Sequence, residues 1–109
     1  YDWLVGTPDY ATAPQARLWT ARVAHPSEAW RGLGCFDLTV IAPHRRAYLD
    51  YQGPISGRRG EVTRADRGEA VIELWRASRI VWGIRMQHFQ ARVQADVIDG
   101  DAWRARVIG

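Results

Sequence analysis

The chain has 109 residues, of which 47% are hydrophobic and 25% charged. That is the size and composition of one globular domain spanning 1–109, and it argues against disorder or a second core. No apolar run reaches the ~20 residues of a membrane helix, and the single cysteine, Cys35, excludes an internal disulfide or a cysteine-based zinc finger. All fifteen basic residues are arginine, and against twelve acids they leave a formal charge of +3, a mild bias toward anionic partners.

The chain opens on Tyr1 rather than methionine and runs straight into a strand-like segment, Tyr1–Gly6. We read this as a start inside a longer gene product, which makes the domain N-terminally incomplete. Tyr10–Gln15, bordered by Pro8 and Pro14, is loop, and a strand follows at Arg17–Val23. Pro26–Leu33 reads as one or two helical turns, with Ser27 as the cap and Gly32 or Gly34 as the stop. Strands are expected at Asp37–Ile41, Ala47–Tyr51, Arg59–Arg64 and Ala70–Arg76, with turns at Gly53-Pro54, Ser56-Gly57 and Asp66-Arg67-Gly68.

The clearest alternation comes last. Ile80, Trp82, Ile84 and Met86 share one face of a strand in which Gly83 is a candidate bulge. Phe89, Ala91, Val93, Ala95 and Val97 face away from His88, Gln90, Arg92, Gln94 and Asp96. Asp99-Gly100-Asp101 then turns the chain as a hairpin into Trp103, Ala105 and Val107. About eight short strands and one short helix predict a mainly β fold, a small antiparallel β-barrel whose closure removes exposed edges, with a sandwich as the alternative. The six tryptophans are expected to fill its core, and Cys35 is expected to be buried filler.

Most catalytic signatures are absent: there is no Gly-rich phosphate loop, Gly-x-Ser-x-Gly elbow or His-Glu-x-x-His. The informative stretch is Ile41–Gly60. His44 stands in the loop before the Ala47–Tyr51 strand, flanked by Arg45 and Arg46, and alternation puts Tyr48 and Asp50 on one face. An imidazole, a phenol, a carboxylate and guanidiniums form a plausible anion-handling cluster. By spacing alone, a loop histidine on a solvated basic edge is the plainer reading.

The segment His-Arg-Arg-Ala-Tyr-Leu-Asp-Tyr-Gln-Gly-Pro-Ile-Ser-Gly-Arg-Arg-Gly, His44 to Gly60, resembles the 3′-phosphoesterase domain of bacterial DNA ligase D and its small stand-alone relatives. Tyr1-Asp2 resembles the end of that family's first motif, and Leu18–Val23 fits the strand that follows it. The resemblance implies a metal-dependent enzyme that trims a 3′-terminal ribonucleotide or 3′ phosphate during end joining. It implies a divalent metal, manganese or zinc, on Asp2, with histidine ligands lying before Tyr1. It places His44 at the scissile phosphate, for binding or proton transfer, and Tyr48 as a hydrogen-bond donor to that phosphate. Arg22 or Arg46 would supply positive charge. DNA or RNA 3′ ends are the implied substrates and an end-joining ligase or polymerase the implied partner. For a chain with one cysteine and no membrane-length apolar run, a reducing cytoplasm is the default compartment, and a monomer without membrane contact is expected.

The chain departs from the family at Pro43, where aspartate is usual, at Leu4, where arginine is common, and at Gln52, which replaces a glutamate. The family lysine after the tryptophan strand falls near His25. Several of these changes remove phosphate contacts, so a catalytically degenerate barrel that binds nucleic-acid ends or a protein partner stands beside the enzyme reading. A structural or secreted β-domain with a merely fold-deep likeness is the third.

Overall fold

The computed structural model describes residues 1–45, 53–54, 61–62 and 66–109. Seven antiparallel strands curl into a nearly closed, barrel-like sheet. They are β1 (Asp2–Gly6), β2 (Leu18–Val23), β3 (Cys35–His44), β6 (Gly68–Trp75), β7 (Arg79–Met86), β8 (Gln90–Asp99) and β9 (Ala102–Val107), in the order β1-β2-β3-β9-β8-β7-β6. Two further short strands, β4 (Gly53–Pro54) and β5 (Glu61–Val62), pair with each other. The expected turn at Gly53-Pro54 is therefore strand. Of the two strands expected between 47 and 64, only Glu61–Val62 lies within the described residues.

Alternation decides what goes inside. Trp3, Val5, Ala21, Val23, Phe36, Leu38, Ile80, Trp82, Ile84, Val93, Ala95, Trp103 and Ala105 form one buried cluster with Trp30 of the helix and Phe89, while Trp19 and Trp75 pack against it half-buried. All six tryptophans thus serve the core, as their number suggests. Cys35 does not: it is exposed, because Phe36 and Leu38 take the inward positions of β3 and leave Cys35 on the outer face.

Local chemistry departs from expectation in two places. Helix α1 (Ser27–Leu33) has Pro26 at its N-cap rather than Ser27, and Gly34, at φ 72°, ends it. Gly83 pairs regularly with Val71 and Arg92; the irregularity in this hairpin falls between Ile72 and Leu74 of β6 instead. The Asp99-Gly100-Asp101 turn forms as expected, with Gly100 at φ 54° and Asp99 paired to Ala102.

Ser27 has other work. Its hydroxyl donates to the Asp66 carboxylate at 2.6 Å, and that carboxylate also accepts from the backbone N–H groups of Arg67, Gln87 and His88. One side chain therefore ties the helix start to the entry of β6 and the β7–β8 turn. Burial pushes the Asp66 carboxyl up, but the bonds from Ser27, His88, Arg67 and Gln87 outweigh it and hold it below the usual carboxylate value. A carboxylate depressed in the folded state stabilises above its unfolded pKa and loses that contribution as pH falls through the folded value. Asp66→Ala is expected to cost ~1–2 kcal/mol at neutral pH, and its deficit against wild type should shrink in acid denaturation midpoints below the carboxylate range.

Gly68 begins β6 opposite Met86, where an added Cβ would stand 1.8 Å from the Arg85 carbonyl oxygen. Backbone cannot yield as a flexible side chain does. Gly68→Ala should therefore destabilise the protein by ~1–3 kcal/mol in thermal or urea melts, the usual cost of overpacking.

Candidate functional site

The outer face of β1, β2 and β3 carries the polar cluster. Asp2 pairs with Arg22 across β1–β2, and Gly6 pairs with Leu18. Leu18 and Thr20 share Arg22's face, opposite Trp19, Ala21 and Val23, yet both are fully buried. This part of the outer surface is therefore covered rather than solvated.

The path of β3 brings His44 here. Between the pairs Thr20↔Ile41 and Leu18↔His44, Ala42 and Pro43 stand opposite Trp19 alone. One extra residue in β3 is a β-bulge, which bends a strand and re-aims its side chains. Pro43 suits that position because it has no N–H to give to the ladder. The Thr20 hydroxyl secures the result: it accepts from the His44 backbone N–H at 3.1 Å and donates to the Leu18 carbonyl at 2.9 Å. His44 is accordingly the last residue of a strand, not part of a loop.

Three residues from three strands meet. His44 Nε2 lies 3.7 Å from Asp2 Oδ2, and Arg22 Nε lies 3.6 Å from Asp2 Oδ1. His44 Nδ1 stands 3.2 Å from the Ala42 carbonyl oxygen. A carbonyl can only accept, so Nδ1 meets it as an N–H donor, and Nε2 is the ring atom left facing the carboxylate. Nε2 and a carboxylate oxygen face each other favourably with a proton or a cation between them.

Asp2, Arg22 and His44, three of the residues singled out from the sequence, are thus brought together. Tyr48 and Arg46 lie outside the described residues. Thr20 was missed by the sequence reading, although a hydroxyl between Leu18 and Arg22 on the outward parity of the strand was a signal for it.

The Asp2 carboxylate is a hard donor of the kind a divalent metal such as manganese or zinc takes. Among the described residues it is the one donor to which the resemblance gives that role, and no group of three His, Cys, Asp or Glu side chains assembles. No helix among the described residues is long and apolar enough to cross a membrane. Comparison of the chain with known protein families, curated proteins and solved structures found no match.

Thr20→Val keeps the shape and removes the hydroxyl that both Leu18 and His44 use. It should cost ~1–2 kcal/mol in urea denaturation, as expected for leaving a buried partner unsatisfied. The His44 backbone amide should lose its protection in hydrogen exchange at the same time.

Proposed function

We propose that the protein is a metal-dependent phosphoesterase that trims a 3′-terminal ribonucleotide or 3′ phosphate from nucleic acid in DNA end processing and repair. The observation that carries this reading is the convergence of Asp2, His44 and Arg22 on one partly covered outer face, with His44 Nε2 and Asp2 Oδ2 3.7 Å apart. The resemblance to the ligase D phosphoesterase domain gives Asp2 a metal role and His44 a phosphate role, and Arg22 stands beside them as a candidate for the positive charge that the family pattern loses in this chain.

In this reading Asp2 would hold a divalent cation, manganese or zinc. Such an ion, when bound, polarises phosphoryl oxygens and makes water a better nucleophile. The chain's own residues do the rest. Arg22, anchored on one oxygen of Asp2, sets a permanent guanidinium charge beside the phosphoryl group. His44, held at Nδ1 by the Ala42 carbonyl, presents Nε2, which as the imidazolium N–H would donate to the phosphoryl group or deliver its proton to the leaving oxygen. Tyr48 adds a phosphate contact by the same resemblance, and Arg46 is the other candidate for the positive charge. A cytoplasmic monomer working beside an end-joining ligase or polymerase is the setting proposed.

The test is a 3′-end assay on a labelled duplex carrying a terminal ribonucleotide or a 3′ phosphate, in Mn²⁺ and in EDTA. Manganese-dependent trimming is expected, and His44→Ala should abolish it while leaving the melting temperature near wild type. Salt-sensitive binding without turnover by the wild type would instead mean an end-binding barrel and contradict the enzyme reading. Tyr48→Phe should lower kcat/KM by ~1–3 kcal/mol of transition-state stabilisation, the range for one hydrogen bond to a charged group; an unchanged value would make Tyr48 a packing residue.

A further inference from the structure

The arginines are not evenly neutralised. On the outer faces of β3 and β6–β9, Arg104 pairs with Asp37, Arg79 and Arg106 with Asp96, Arg92 with Glu73, and Arg85 with Glu69. Burial pushes Asp96 up, but Arg79, Gln94 and Arg106 together hold it below the usual carboxylate value. That side of the barrel is close to balanced.

The end of β2–β3 differs. In the antiparallel register that pairs Leu18 with His44, the next residues outward are Arg17 and Arg45, both exposed. Among the described residues neither has an acidic partner. Like charges facing each other across neighbouring strand ends are destabilising, and guanidiniums are the side chains best shaped to take phosphate oxygens in pairs. The pair also borders the residue that the proposed reading puts at the scissile phosphate.

We propose that Arg17 and Arg45 form a second phosphate site, which takes the internucleotide phosphate next to the 3′ terminus. The inference rests on the proposed function for its substrate class. Its contribution is affinity and register along the strand; the bond cleaved is still the one at His44.

Binding without turnover tests it. A short fluorescein-labelled single-stranded oligonucleotide ending in a ribonucleotide is titrated in EDTA over a range of salt, followed by fluorescence anisotropy. The wild type is expected to bind with a steep salt dependence. The Arg17→Gln/Arg45→Gln double variant should bind more weakly, with the slope of log K against log salt smaller by about 0.7, which is one phosphate on a single strand. Arg76→Gln, which removes one exposed arginine from the β6–β7 turn, is the control for loss of charge away from the site and should match wild type. An unchanged slope in the double variant, an equal loss in Arg76→Gln, or no binding by the wild type would overturn the inference. If the slope changes as expected while the wild type trims nothing in Mn²⁺, the phosphate site stands and the catalytic reading falls.

Discussion

Six indoles have to be housed by seven short strands, and the rest of the molecule is arranged around that requirement. Trp3 of β1 lies 4.8 Å from Trp30 of the helix and 4.9 Å from Trp82 of β7, and Trp19 lies 5.2 Å from Trp82. Strands β1 and β7 are not neighbours in the sheet, so these contacts cross the interior and hold the sheet curled. Tilted and edge-on ring pairs add to the area they bury. Trp82 is fully buried, and among the described residues its Nε1–H finds no hydrogen-bond partner. Its surroundings are other indoles, whose faces are weak acceptors.

Because the core is aromatic and apolar, strand alternation sends every group with chemistry to the outside. This is why the fold was legible in the sequence. The runs Ile80–Met86, Phe89–Val97 and Trp103–Val107 repeat with period two and form three adjacent strands in register. The points that were not legible depend on competition between neighbours. Ser27 looked like a cap but donates to Asp66, a partner 39 residues away that no local pattern announces. Cys35 looked like filler, yet Phe36 claimed the inward position.

The candidate site was legible in its residues and not in its geometry. Arg22 and Asp2 follow from a simple antiparallel pair. The approach of His44 does not, because it needs the extra residue at Ala42-Pro43 and the buried Thr20 hydroxyl to turn the end of β3 toward Asp2. Pro43, a departure from the family pattern when read in sequence, becomes intelligible as a residue of that bulge.

The central claim is that Asp2, Arg22 and His44 form one site built to hold a cation or proton against a phosphate. The most direct measurement is a Mn²⁺ titration of the isotopically labelled protein followed by NMR, with signals of the His44 ring, Asp2 and Arg22 resolved. The account predicts paramagnetic broadening that begins at these three residues at the lowest metal concentrations and spreads from them with distance. Broadening that begins at the acidic residues of β6 and β8, Glu69, Glu73 and Asp96, while the His44 ring stays sharp, would contradict it.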